Sequence, residues 1–409
     1  MKILFLLFLI LTRITTNSQP IFDFTTQSNR AKHDVSLKRL IHRSLQQPLS
    51  FTTEKEWMKA FWAMEFLLYK TPYTKQKLAA AWKVAGELSE SFQKAFLEVN
   101  YTLYPSQFTT QVNELLKTTA SPLVFIRCAE YLLLNNQANR FEIETVLQQK
   151  FAGNDFIGFA ILKQRLEKTK AENIPPLKDI VAKKFLPGQT VVYSLQRRNR
   201  NFAGLVLIRK PDGSFIKAGD GKLFNAAQLA RAITNYPFYI TNGNTPQGIF
   251  KWTGFDTSTI SYIGPTANLQ MVMPYETSPA VFMNDSSKTW PGWNQQLYES
   301  LLPRSWTAYK GIYESFLAGA IGRSEIIMHG TTINPDYYKG QPYFPQTPSL
   351  GCLCSYEKWD KTGKRVVSNQ QTIVDALNSI GSKMGYVVVI DLDDKKSAVT
   401  LEEVVAALK

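Results

Sequence analysis

The spacing of apolar residues changes once along this chain, near residue 170. From about residue 50 to 168 apolar side chains recur every three or four positions, the mark of amphipathic helices. Trp57, Phe61, Met64 and Leu68 form one such stripe, Leu78, Trp82, Ala85 and Leu88 a second, and Phe92, Phe96 and Val99 a third. Thr53, with Glu56 three residues on, has the form of a capping box. Further helical runs cover 111–117, 123–134, 142–151 and 156–168, broken by Pro72, Pro105, Pro122 and the Gly153-Asn154 pair. This pattern predicts six or seven helices in short antiparallel hairpins without a fixed repeat, an irregular α-solenoid-like array. Its many aromatic residues read as core.

Residues 171–188 hold Pro175, Pro176 and Pro187 with Lys178, Lys183 and Lys184, and read as a linker. Beyond it the apolar runs are short and β-branched. Strands are expected at 190–195, 204–210, 214–218, 238–241, 248–251, 260–263, 269–273, 325–328 and 386–392, with a hairpin turn at Pro211-Asp212-Gly213. Helices are expected at 223–234, 368–382 and 400–408, the last opened by a Thr400–Glu403 capping box. The fold class is therefore α+β. A helical domain at 20–170 precedes a mostly-β domain with a few helices at 189–409, each expected to fold on its own.

The first 19 residues stand apart. A basic Lys2, an unbroken apolar run at 3–11 and a polar stretch at 12–19 make a signal-peptide layout, which implies export. The run has about half the length a membrane-spanning helix needs, so no stable span is expected. The formal charge of +14 falls to +12 once Lys2 and Arg13 are removed. An exported chain of that charge is drawn to polyanionic envelope surfaces. No RNA- or DNA-binding motif is present, and nucleic acid is not an expected partner. What the helical half binds is not legible.

Three cysteines are too few for a disulfide framework. Cys128 lies in an apolar helical run and reads as a small buried hydrophobe. Cys352 and Cys354 share a glycine-containing loop. They can be a nucleophile and its neighbour, a C-x-C disulfide, or half of a metal site. A metal site wants four ligands and only one histidine lies near, so no metal is expected; the cysteine chemistry read below implies no organic cofactor either. Of three histidines, His33 and His42 fall in a polar stretch and read as surface residues. His329 ends an apolar run, 23 residues before Cys352. An imidazole beside a thiol can take its proton and leave a thiolate able to attack a carbonyl. A glycine before the cysteine allows a turn that aims backbone N–H groups at one point, as an oxyanion requires. Tyr337, Tyr338, Tyr343 and Phe344, in the loop between, can line a groove or pack the loop down.

His329-Gly330-Thr331, followed by Ser349-Leu350-Gly351-Cys352, resembles the His-Gly-Thr and Ser-His-Gly-Cys signature of the L,D-transpeptidase (YkuD) family. Upstream, Thr245-Pro246-Gln247-Gly248-Ile249-Phe250 is similar to that family's Thr-Pro-x-Gly-x-Phe segment. The resemblance covers roughly residues 186–395 and leaves out the helical half. It implies that Cys352 is the acyl-accepting nucleophile and His329 its base, oriented by the Gly330 carbonyl. It further implies an oxyanion hole from the N–H groups around Gly351 and Cys352, with Leu350 beside it, and a loop braced by Ser349. Thr331, Tyr338 and Tyr343 are candidate substrate contacts. The implied substrate is a peptidoglycan stem peptide, attacked between a diamino acid and the terminal D-Ala. The thioester would then pass to an amine, a cross-link, or to water, as in an L,D-carboxypeptidase. Two positions depart from the pattern: Leu350 replaces the second histidine, and Cys354 stands where Arg or Asn is usual. Those departures keep open a non-catalytic wall-binding or scaffold protein.

Overall fold

The computed structural model of the chain describes residues 23–135, 139–167, 172–287 and 289–408. The expected signal peptide lies outside them. The helical half consists of α1 (Gln27–Gln46), α2 (Glu54–Phe66), α3 (Pro72–Ala81), α4 (Glu90–Leu103), α5 (Thr109–Thr118), α6 (Pro122–Asn135), α7 (Asn139–Phe151) and α8 (Ile157–Glu167). Alternate helices stack, α2 on α4, α4 on α6 and α6 on α8. The apolar stripes are what they bury: Trp57, Phe61, Met64, Phe92, Phe96 and Val99 all lie inside, as does Cys128 of α6. None of the described helices is long and apolar enough to cross a membrane.

Beyond residue 172 come α9 (Leu177–Val181), β1 (Val191–Gln196), β2 (Gly204–Arg209), β3 (Ala226–Leu229), β4 (Gly248–Asp256) and β5 (Asn268–Val272). Then follow α10 (Pro279–Met283), α11 (Gln295–Glu299), α12 (Glu314–Ala320), β6 (Met328–His329), β7 (Leu353–Ser355), β8 (Glu357–Trp359), β9 (Arg365–Ser368), α13 (Asn369–Ser379), β10 (Gly385–Asp391) and α14 (Leu401–Ala407). Eight strands close a barrel in the order β1-β10-β4-β5-β6-β7-β3-β2, and β8 with β9 forms a separate ribbon. β1 lies parallel to β10 and β6 parallel to β7, while the other barrel neighbours are antiparallel.

One apolar cluster draws a side chain from every barrel strand, including Val192, Val206, Ala226, Phe250, Leu269, Met328, Leu353 and Val387, and so fills the interior. Ile373, Val374 and Leu377 of α13 join it. Strand alternation sends Tyr193, Leu207, Ile249 and Val388 to the outer face, under α9–α11 and α14. A third cluster runs through the helices and takes in Leu229, Ile233, Tyr236, Tyr239, Ile240, Ile333, Tyr338 and Tyr343. The helical layer and the β3–β7 side of the barrel thus share one apolar cluster, where the sequence predicts two halves each with its own core.

Some expectations are corrected. The stretch 223–234 is not a helix. Its Ala-rich sequence favours one, but β3 forms there because β2 and β7 both pair with it, and pairing outweighs propensity. The stretches 238–241 and 260–263 are loop and turn rather than strand. The expected linker contains α9, whose Leu177, Ile180 and Val181 are buried on the barrel. Thr53 forms no side-chain cap; its hydroxyl donates to the Pro48 carbonyl at 2.6 Å. The Thr400–Glu403 capping box is present. His33 is not a free surface residue: its Nε2 lies 2.9 Å from the Tyr262 hydroxyl, and its ring meets Phe24 and Phe66 edge-on.

Candidate active site

Three short segments, far apart in sequence, meet at one end of the barrel. β6 and β7 run side by side in parallel, with Met328 opposite Leu353 and His329 opposite Cys354. Met328 and Leu353 point into the barrel, so alternation sends Ile327, His329, Cys352 and Cys354 to the opposite face. The Leu353 N–H binds the Ile327 carbonyl at 3.0 Å, which brings Cys352 alongside Ile327. The third segment arrives through Thr245, whose hydroxyl donates to the Gly351 carbonyl at 2.9 Å.

The imidazole is fixed. His329 is buried and its Nδ1 lies 2.5 Å from the Gly330 carbonyl. A carbonyl only accepts, so Nδ1 carries the proton and Nε2 has the free lone pair. Burial holds the His329 pKa below its ordinary 6.5, against the Gly330 hydrogen bond, which pulls it up. The Gly330–Thr331 peptide is itself braced. Glu357 accepts the Thr331 N–H at 2.9 Å, and the Trp359 indole donates to the Thr331 carbonyl at 2.8 Å. A Cβ on Gly330 would run into the Glu357 carboxylate. Glu357 also accepts from Thr266 and Ser368, at 2.6 and 2.5 Å.

The thiol is half-buried. Its sulfur accepts the Ile327 N–H at 3.5 Å and donates to the Glu325 carbonyl at 3.6 Å. Among the described residues no hydrogen bond joins the Cys352 sulfur to the His329 ring. Ile327 and His329 are two residues apart on one strand face, a step of about 6.7 Å. Burial pushes the Cys352 pKa up, the Ile327 N–H and the nearby Arg323 draw it back, and Glu325 raises it again. A raised thiol and a lowered imidazole are both uncharged at rest.

Ser349 ties the turn together. Its hydroxyl accepts the Gly351 N–H at 3.0 Å and donates to the Cys352 carbonyl at 2.8 Å. The Gly351 N–H is thereby used, and the expected oxyanion donors narrow to the N–H groups of Cys352 and Leu350, which have no acceptor among the described residues. Gly351 has φ +122°, open to glycine but strained for other residues. Leu350 is exposed.

The candidate substrate contacts lie inside the fold. Thr331, Tyr338 and Tyr343 are buried. Tyr338 donates to the Phe66 carbonyl of α2 at 3.1 Å, and Tyr343 lies under the Arg231 guanidinium. Tyr338 and Tyr343 pack the 330–348 loop against the helical layer. Cys354 is also buried, its sulfur 3.6 Å from the Thr347 hydroxyl, and all three cysteines are free thiols. No three His, Cys, Asp or Glu side chains among the described residues gather as a metal site.

Sequence reasoning missed Glu357 and Arg323. Arg323 is buried and donates to the carbonyls of Phe238, Asn244 and Gly243, the last two at 3.0 Å. The sequence shows Arg323 only as the one basic residue, beside Glu325, in the apolar stretch 316–328, which does not mark it as part of a site. Comparison with protein-family models, curated proteins and solved structures finds no match to this chain.

Proposed function

We propose that this protein is a cysteine acyltransferase acting on peptidoglycan stem peptides in the cell envelope, with Cys352 as nucleophile and His329 as general base. The single observation that carries this reading is the parallel pairing of β6 with β7. It brings two residues 23 positions apart in sequence onto one strand face, with a thiol and an oriented imidazole two positions apart. The hydrogen bond from Thr245 to Gly351 supports it, because it joins the Thr-Pro-x-Gly segment to the nucleophile turn.

In the proposed cycle Cys352 swings from the Ile327 backbone toward His329 Nε2, which takes the thiol proton. The thiolate attacks the stem carbonyl. The oxygen's negative charge is met by the Cys352 and Leu350 N–H groups. The C–N bond breaks, the departing amine takes the proton from His329, and a thioester remains. An incoming amine, or water, then attacks the thioester with His329 again as base, and the thiol leaves. No metal or organic cofactor enters these steps. The basic surface of the mature chain would favour a polyanionic wall.

A second reading, a non-catalytic wall-binding protein, is favoured by one observation: the sulfur is bonded to the backbone and not to the imidazole. Intact-protein mass spectrometry after incubation with a stem tetrapeptide or a carbapenem separates the two. A covalent adduct that vanishes in Cys352→Ala supports the enzyme. No adduct under reducing conditions sinks it.

A further inference from the structure

We propose that Arg323 is the cation that stabilises the Cys352 thiolate, and that the helical layer keeps it in place by clamping the 238–244 loop. This rests on Cys352 being the reactive thiol, but not on the identity of the acyl donor.

Arg323 lies under the nucleophile turn. A Cβ on Gly351 would collide with its Nη2 and with the Gly243 carbonyl, so the missing side chain is what lets the guanidinium reach the turn. Its hydrogen-bond partners are three neutral carbonyls, and among the described residues it forms no ion pair. A buried cation without a counter-ion is costly. Burial brings the Arg323 pKa down to about 10, and the acidic groups that pull it back up are Cys352 and then Glu314. A thiolate at Cys352 would supply the missing partner. Four other titratable groups face the pair. Glu325 opposes the thiolate, His329 shares its strand face, Cys354 follows on β7, and Glu314 faces Arg323.

The three carbonyls belong to one loop, and the helical layer holds that loop from beneath. Asn242 donates to Glu98 of α4 at 2.8 Å. Tyr239 donates to Glu130 of α6 at 2.6 Å, and Arg165 of α8 binds both oxygens of Glu130 at 2.6 and 2.9 Å. Tyr236 stacks on Tyr101 of α4, ring centres 3.9 Å apart. A path of direct contacts therefore leads from α4 and α6 through this loop to Arg323, which lies against Gly351, the residue before Cys352.

The test is the pH dependence of Cys352 alkylation by iodoacetamide in the full chain, with the modified site located by mass spectrometry. Arg323→Gln is expected to raise the midpoint by about one unit, about a tenfold loss of rate at neutral pH, with the alkaline plateau unchanged. Arg323→Lys is expected to recover most of that loss. Asn242→Ala, remote from the sulfur, is expected to shift the midpoint the same way by several-fold in rate. A folded Arg323→Gln protein with an unmoved midpoint, or one slowed equally at every pH, overturns the proposal. If that variant does not fold, an unmoved midpoint in Asn242→Ala overturns it. No stem peptide is used. A shifted midpoint in a protein that forms no acyl-enzyme would therefore leave Arg323 in its role and remove only the acyltransferase reading.

Discussion

Thr245 and Gly351, 106 positions apart in sequence, are joined by a 2.9 Å hydrogen bond from hydroxyl to carbonyl. Thr245 is buried, its N–H binds the Ala230 carbonyl at 3.1 Å, and its own carbonyl accepts from Arg200 at 3.3 Å. The turn that carries the thiol is thus fastened to the barrel through one side chain. Thr245→Val keeps the shape and leaves the Gly351 carbonyl without its donor, at a cost of about 1–3 kcal/mol. A lowered melting temperature and about tenfold slower alkylation of Cys352 are expected, with Thr245→Ser near the parent protein. Equal alkylation rates in the Val and Ser variants would show that the turn holds without this bond.

The uncharged thiol–imidazole pair sets the direction of the pH response. His329 has a folded pKa below 6.5, so its lone pair is available at lower pH than a free imidazole's. The acid limb of acyl-enzyme formation should have its midpoint below 6.5, and His329→Ala should lose that limb along with about a hundredfold or more in rate. The same shift acts on stability. Below pH 6.5 the unfolded chain takes up the proton first, so this contribution is whole above 6.5 and falls as pH drops toward the folded pKa. Chemical denaturation of His329→Gln should lack that part of the acid loss. An acid limb unchanged in His329→Ala would remove the residue from the mechanism.

Glu357 reaches the His329 imidazole at one remove. Its carboxylate holds the Thr331 N–H, next to the carbonyl that orients the imidazole. Glu357→Ala strands the Thr331, Thr266 and Ser368 donors in a buried site and should cost about 2–4 kcal/mol. Glu357→Gln keeps an acceptor and should fold, with acylation slowed several-fold and its acid limb moved. A Gln variant with the parent rate and limb would confine Glu357 to stability.

Glu314 carries a separate, opposite pH signature. It accepts the Gln247 N–H at 2.9 Å, and burial, with Asp391 near, raises its pKa to about 7, against the pull of Arg200. Between its ordinary 4.5 and about 7 the unfolded chain has lost this proton while the folded chain keeps it. The contribution is present below 4.5 and is lost as pH rises toward about 7. Glu314→Gln should flatten the stability profile in that window, read by denaturant titration at each pH. A profile with the parent slope would place the titration elsewhere.

What was legible in the sequence follows from how local each signal is. The stripes of Trp57, Phe61 and Met64 announce their helices because a helix buries neighbours three and four apart. The β-branched run of β10, buried along its whole length, reads as a central strand for a similar reason. The pairing of β3 between β2 and β7 was not legible, because β7 lies more than 120 positions away in sequence. Likewise His329, Gly351 and Cys352 could be picked out by residue type and spacing. Arg323 and Glu357 could not, since each matters only through a backbone group that folding brings to it.

The shared core bears on how the chain can be divided. Leu229, Tyr236, Tyr239, Ile240, Tyr338 and Tyr343 belong to the β half, yet they are buried in the cluster that runs through α1–α8. Tyr338 donates into α2, and Tyr239 into α6. Removing residues 20–170 would expose these six side chains together and leave the Tyr239 and Asn242 donors without Glu130 and Glu98. A contiguous apolar patch of that kind drives association. The fragment beginning at residue 172 is therefore expected to be insoluble, or to elute as aggregate in size-exclusion chromatography. Co-expression with residues 23–167 as a separate chain should restore a soluble pair, because the interface is rebuilt. A monomeric 172–409 fragment whose Cys352 alkylation profile equals that of the full chain would mean that the helical layer is dispensable for both fold and site.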